Sequence, residues 1–242
     1  GQGNVIPSSR EQVVQSLDPG IITEILVKEG DIVEKGQVLL KLDDTRSSAV
    51  LRESEAKVQN LEAMIARLKA EAYGKELSFP KNVSNELRQR EHAAYVARRR
   101  AVTDAVSSLT ASKAALDKEI EITAPMVAQG VVSEVELLRM RRQSSELTLQ
   151  ITERRNRYMA DANNELVQAE SELAQAKENM AMRADPVDRS QIRAPMRGIV
   201  KDIQINTVGG VVNVGQDIMQ IVPLDDKLLV EAYIRPQDVA FI

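Results

Sequence analysis

One histidine, His92, and no cysteine in 242 residues leave little material for chemistry that needs imidazole or thiolate. A histidine metal cluster, a thiolate zinc site and a nucleophile–histidine–carboxylate arrangement each need more than this chain supplies. His92 stands among Glu91, Ala93 and Ala94 and reads as a surface or seam residue of a helix. Gly209-Gly210 is a tight turn, too short and in the wrong context for a phosphate loop. No catalytic, cofactor-binding or metal-binding residue is therefore expected. Aromatic residues make up only 2% of the chain, without a single Trp, which disfavours the compact core of an enzyme of this size. Lys plus Arg is 32 against 36 for Asp plus Glu, so the charge balance gives no reason to expect nucleic acid as a partner.

The other notable residues lie in one turn, at 125–133. Pro125 removes a helical hydrogen bond, Gly130 can take the left-handed conformation past a helix end, and Ser133 with Glu136 spells a capping box. Met126 and Val127 have nothing obvious to pack on there. Contact with a partner is the reading favoured for them, and packing on Val131 and Val132 the alternative.

The elements that hold this turn follow from where Gly and Pro are missing. Between about 43 and 190 the only Gly are Gly74 and Gly130, and the only Pro are Pro80, Pro125 and Pro186. With Ala, Glu, Arg, Lys, Gln and Leu filling the stretch, long helices are expected, at about 46–73, 84–128 and 133–183. The first carries Leu51, Val58, Ile65 and Ala72 at sevens, with Leu61 and Leu68 between them, a heptad seam. The second repeats Tyr95, Val102, Leu109 and Leu116, and the third runs an Ala-rich stripe from Leu147 to Met180. The short link at 125–133 makes helices two and three antiparallel neighbours. Helix one cannot continue coaxially into helix two, because together they would overshoot helix three, so the loop at about 74–83 is expected to fold the chain back into a three-helix section. Arg98-Arg99-Arg100 and Arg139, Arg141 and Arg142 read as solvated helix faces or as partners for a neighbouring protomer.

The flanks at 12–42 and 190–222 change to short strands around Gly turns, and they are copies of each other. Gly20-Ile21-Ile22-Thr23-Glu24-Ile25 matches Gly198-Ile199-Val200-Lys201-Asp202-Ile203. After one inserted residue, Gly30 to Gln37 matches Gly209 to Gln216, and Leu39-Leu40-Lys41-Leu42 matches Ile218-Met219-Gln220-Ile221. Each copy alone has too little apolar area to bury, so the two should pair into one small β-sandwich that brings the ends of the helical insert together.

The Gly-Asp-x-Val-x-x-Gly-Gln turn and the second copy opening Ala194-Pro195-x-x-Gly198 resemble the biotinyl/lipoyl domain. Split by a helical hairpin, the chain resembles the HlyD-family membrane fusion proteins, in particular the type I secretion branch, and Leu229 to Ile242 resembles the start of that family's β-barrel. The resemblance implies an α+β fold. The first half of the lipoyl domain with a barrel-side strand would span 1–44, the helical hairpin domain 45–188, the second half-domain 189–223 and the start of a truncated barrel 224–242. It further implies a periplasmic adaptor without enzymatic activity, held in the inner membrane of Gram-negative bacteria by an N-terminal helix outside this chain. Its partners would be an inner-membrane ABC transporter, a TolC-like outer-membrane channel, a secreted protein substrate and further copies of itself, commonly six. No cofactor is implied. The channel-docking tip would comprise Met126, Val127, Gln129, Gly130 and Ser133. Several relatives carry Arg, Leu and Ser across this tip; here Ser133 and Met126 hold the Ser and Leu places but Ile122 stands at the Arg place. The chain begins without Met or signal peptide and no apolar run nears the roughly 18 residues that span a bilayer, so both ends are expected to be cut from a longer protein. An adaptor of a multidrug efflux pump is the nearest rival reading, discriminated by the additional helix at 46–73. A plain coiled-coil spacer leaves the duplicated flanks unexplained. A biotin or lipoyl carrier is remote, because neither Leu42-Asp43-Asp44 nor Asp188-Arg189-Ser190 offers the lysine to modify.

Overall fold

The computed structural model describes the backbone of residues 3–7, 11–224 and 228–232, and the side chains of 11–224. The chain divides into two compact units, Gly1–Glu53 with Ala181–Ile242, and Ser54–Met180.

The first unit is built from β1 (Gly3–Pro7), β2 (Gln12–Gln15), β3 (Gly20–Ile25), β4 (Ile32–Val33), β5 (Val38–Leu42), β6 (Gln191–Arg193), β7 (Gly198–Lys201), β8 (Val211–Val212), β9 (Asp217–Pro223) and β10 (Leu228–Ala232). One antiparallel sheet has the order β2-β9-β7-β4, the other β6-β5-β3-β8. Replacing each strand by its repeat partner, β2 by β6, β9 by β5, β7 by β3 and β4 by β8, turns the first order into the second. Each sheet therefore takes two strands from each flank, so neither flank can form a sheet alone. The hydrogen bonds repeat too. Gly36 N–H donates to Ala194 O and Ala194 N–H to Gln37 O, while Gly215 N–H donates to Ser16 O and Ser16 N–H to Gln216 O. Gly36 and Gly215, at φ +84 and +71, turn the chain where a side chain would be strained. Alternating apolar residues from both sheets meet in one core that includes Val14, Ile22, Val33, Leu39, Leu40, Val200, Val212, Ile218, Met219 and Ile221. Separately, β1 pairs antiparallel with β10. Of the segment expected to open a β-barrel, 224–242, residues 225–227 and 233–242 lie outside the described residues.

The helices are α1 (Thr45–Tyr73), α2 (Asn85–Ala128) and α3 (Glu134–Arg189), and the α+β class expected from the sequence is the one observed. One proline behaves differently from expectation: Pro186 lies inside α3, which runs six residues beyond 183, whereas Pro125 lies inside α2 as the expected span of 84–128 has it. Pro125 is one turn from the helix end and its carbonyl still accepts from Gln129 N–H at 3.2 Å, so only the bond its own missing N–H would have made is lost.

In the second unit, contacts fix the helix directions. Asn60, Arg67 and Glu71 of α1 meet Arg90, Glu91 and Arg98 of α2, positions that rise together, so α1 and α2 run parallel. Lys69 meets Glu170 and Glu62 meets Lys177, so α3 runs antiparallel to α1, and Arg98 with Glu165 and Asp117 with Ser144 set it antiparallel to α2. The chain between α1 and α2 thus doubles back, as the length mismatch predicts. It is pinned by Asn82 Nδ2 donating to Glu62 at 2.5 Å, by buried Val83, and by Arg88, which donates to the carbonyls of Pro80, Lys81 and Val83. Ser84 caps α2 by accepting from Leu87 N–H. Ile65, Leu68, Ala162, Leu166 and Ala169 form one apolar cluster and Val58, Leu61 and Ala176 another. Small Ala on α3 lets Leu and Ile of α1 approach closely.

Candidate functional site: the hairpin tip

The turn between α2 and α3 ends the first helix with a Schellman motif. Gln129 is the C-cap, Gly130 takes φ +74, Gly130 N–H donates to Val127 O, and Val131 N–H reaches back to Met126 O, both at 3.0 Å. This pair of bonds requires a left-handed residue at 130, which is why glycine stands there. Ser133 then starts α3: its hydroxyl accepts from Val135 N–H at 3.2 Å, and its carbonyl accepts from Glu136 and Leu137. The capping box expected from the sequence is replaced by a simple cap. The Glu136 carboxylate pairs instead with Arg139 at 3.5 Å.

All five residues expected at the docking tip, Met126, Val127, Gln129, Gly130 and Ser133, are brought into this turn. Met126, Gln129, Gly130 and Ser133 are exposed and Val127 is half-buried. Sequence reasoning missed the larger part of the apolar surface. Ile122 is 59% exposed, Val131 67%, Val135 69% and Leu138 54%. Val135 and Leu138 stand three apart on one face of α3, with Val131 in the turn before it, whereas Leu137 and Met140 are buried on another face. Two apolar stripes out of phase on one helix are the signal that could have revealed a second, outward face.

Farther along the hairpin an ionic ladder joins the three helices. Glu91 contacts Arg67 at 2.8 Å, Arg67 contacts Glu71 at 3.0 Å, Glu71 contacts Arg98 at 3.4 Å, and Arg98 makes a bidentate pair with Glu165 at 2.8 and 2.9 Å. The Glu71 side chain is wholly buried and those of Arg67 and Glu91 nearly so. Burial works against the Arg67 charge, but hydrogen bonds to Glu91 and Glu71 outweigh it and raise its pKa. The Arg98 hydrogen bonds hold the Glu165 carboxyl below its ordinary range. Burial, with the Glu71 charge beside it, pushes the Tyr158 hydroxyl up to about 12. The solvated face expected for Arg98 is thus an intrachain network, while Arg100 does lie at the surface, facing Asp104. His92 is exposed. Among the described residues no cluster of three or more metal-ligating side chains occurs, and no helix is long and apolar enough to cross a membrane.

Residues 11–222 match a family model described as the YknX barrel-sandwich hybrid domain. The chain is similar to the type I secretion system membrane fusion protein PrsE of Rhizobium meliloti (strain 1021), at 30% identity covering 98% of this chain and 66% of that protein. It is similar at 28% to the proteases secretion protein PrtE of Dickeya chrysanthemi, covering 96% and 63%. It is similar at 26% to the chromosomal hemolysin secretion protein D of Escherichia coli, covering 99% and 61%. The chain thus spans a little under two thirds of the length of these relatives. The soluble domain of LipC, a membrane fusion protein of a type I secretion system, has a similar fold, with a TM-score of 0.59, 21% identity, and coverage of 88% of this chain and 100% of that one.

Proposed function

Because the chain belongs to the YknX-type barrel-sandwich hybrid family of membrane fusion proteins, we propose that it is the adaptor of a type I secretion system. In this reading the full protein sits in the periplasm, anchored in the inner membrane by a segment N-terminal to this chain. It joins an inner-membrane ABC transporter to a TolC-like outer-membrane channel, and copies, six in the full complex, surround the path of a large secreted protein such as a protease, toxin or adhesin. The adaptor catalyses nothing itself; the work of transport belongs to the transporter. The observation that carries the reading is similarity to secretion adaptors along nearly the whole chain, across both sandwich halves and the helical insert between them.

The hairpin tip is the proposed docking end. A helix of 44 residues, α2, at about 1.5 Å per residue extends about 66 Å, and its last turn exposes apolar side chains that its own neighbours do not cover. Ile122 in place of an arginine replaces a charge with apolar area, so the channel surface meeting this tip should be apolar at that point. Met126→Asp with Val127→Asp puts two charges into the contact without touching the Schellman backbone bonds. Introduced into the full-length protein at unchanged abundance, the pair should reduce the secreted protein in the medium at least tenfold and leave it in the cells. Normal secretion would remove the tip as the docking surface, and normal secretion with new drug sensitivity would favour an efflux adaptor.

A further inference from the structure

Helices α2 and α3 are clamped at two levels and loosely joined between them. At the first level Arg98 pairs with Glu165 beside the ionic ladder. At the second, nearer the tip, Ser144 Oγ donates to Asp117 at 2.5 Å, and Lys113 donates to the other oxygen of the same carboxylate. Among the described residues no hydrogen bond or ion pair joins the two helices between these clamps. Burial lapses over the same stretch. α3 buries Leu137, Met140 and Ser144 on the tip side and Ala162, Leu166, Ala169 and Ala176 in the three-helix section, but nothing from 145 to 161. α2 buries only Glu91, farther from the tip than either clamp.

The cause lies in the seam. Covered residues of α3 recur by threes and fours through Leu137, Met140, Ser144, Leu147 and Ile151, the next place falls on Arg154, and Tyr158 resumes the pattern. A guanidinium does not stay in an apolar seam without a partner, and Thr152 to Arg157 are six consecutive exposed residues, more than one full turn of helix. Ala105 and Ser108 on α2 are too small to fill the place. An open hollow of about 510 Å³ lies between them and Gln150, Arg154 and Arg157, and a second of about 430 Å³ lies between Val102, Val106 and Thr110 and the pair Arg155 and Tyr158. The helices themselves are weakened here. Thr103, Thr110, Thr148 and Thr152 each donate a hydroxyl to the carbonyl four residues earlier, at 2.7–3.1 Å, an arrangement that slightly destabilises helices and bends them.

We propose that 99–116 of α2 and 145–161 of α3 form a hinge, a segment in which the two helices open and bend together while the sections on either side stay packed. Segments with few buried apolar contacts open at lower free energy than their neighbours. The second clamp distinguishes this from fraying: Asp117 with Ser144, and the buried Leu137 and Met140, hold the pair together again on the tip side, so the soft part is internal. The existence of the hinge is independent of the adaptor reading. Its use rests on that reading, since a tip held by one partner on a base held by another needs lateral freedom when the two shift.

Amide hydrogen exchange of the full-length protein, purified in detergent, tests the hinge. Corrected for intrinsic rates, amides of 103–112 and 147–157 should exchange at least tenfold faster than those of both 137–144 and 162–169, with the two arms opening at matching rates. Exchange that quickens steadily toward the tip would be ordinary fraying and would overturn the proposal, as would even protection along both helices. Ser108→Leu with Arg154→Leu supplies the apolar side chains missing from the seam. The variant should keep its helix content by circular dichroism, and the contrast in exchange should shrink to less than threefold; a contrast that persists would overturn the seam as its cause. In cells, at unchanged abundance, the same variant should lower secretion at least fivefold. Full secretion through a stiffened hairpin would remove the hinge from transport, whereas the adaptor reading fails separately, if deleting the gene leaves secretion unaltered.

Discussion

Replacing Glu71 with Ala should lower the stability of the helical unit by about 3–5 kcal/mol, the usual cost of removing one partner from a buried ion pair. Glu71 is the centre of the ladder. It accepts from Arg67 on its own helix and faces Arg98 on α2, and without it Arg67 stays in the interior with Glu91 as its one remaining carboxylate partner in the ladder. The loss is large because Arg67, nearly excluded from water, cannot recover its hydration without opening α1 from α2 and α3. Exchanging Arg67, Glu71 and Glu91 together for apolar residues of similar volume should restore most of the stability, because the desolvation cost disappears along with the attraction. Chemical unfolding followed by circular dichroism checks both. An unchanged midpoint for Glu71→Ala, or a triple apolar variant as unstable as the single, would show that the ladder does not hold the section together.

Gly198→Ala should be as damaging to the sandwich. A Cβ at 198 would collide with the carbonyl oxygen of Val222 and the side chain of Ile221, on the strand paired with it, and β4 closes the other side. The backbone cannot retreat without breaking the ladder of hydrogen bonds, so overpacking should cost about 3 kcal/mol. The repeat partner Gly20 offers the comparison. A Cβ there would meet only the Leu42 side chain, at 3.1 Å or more, and a leucine can adjust its rotamer, so Gly20→Ala should cost about 1 kcal/mol or less. Thermal unfolding of the two variants side by side decides it; equal effects would contradict the packing argument.

The difference between these two glycines illustrates what the sequence could and could not reveal. The repeat itself is legible, because turn glycines and alternating Val and Ile recur at fixed spacing. Which copy is crowded is not, since that depends on β9 lying against Gly198 where β5 lies against Gly20. The helices were legible from the scarcity of Gly and Pro and from the heptads, and the return of the chain after α1 from length alone. The ladder was not. Arg67 and Glu71 sit at i and i+4, a spacing that exposed helix pairs share, and only the parallel overlap of α1 with α2 carries them inside, where Glu91 and Arg98 complete the network. Arg98 reads as one of three consecutive arginines, yet helical phase sends it toward Glu165 while Arg100 faces Asp104 at the surface. At the tip, Gly130 and Ser133 were readable as terminators. The outward pair Val135 and Leu138 was hidden, because apolar spacing on a helix looks the same whether it faces a core or a partner. Pro186 misled for a positional reason: one turn from a helix end, a proline forfeits a single bond and need not end the helix.

The account stands or falls on the adaptor reading, and the most direct measurement is deletion of the gene for the full-length protein, with complementation by the intact gene. The proteins of the culture medium, the cell contents and drug sensitivity would be compared in the three strains. The account predicts that one or a few large proteins vanish from the medium, accumulate in the cells and return on complementation, with drug sensitivity unchanged. An unaltered set of secreted proteins, with or without a change in drug sensitivity, would contradict it.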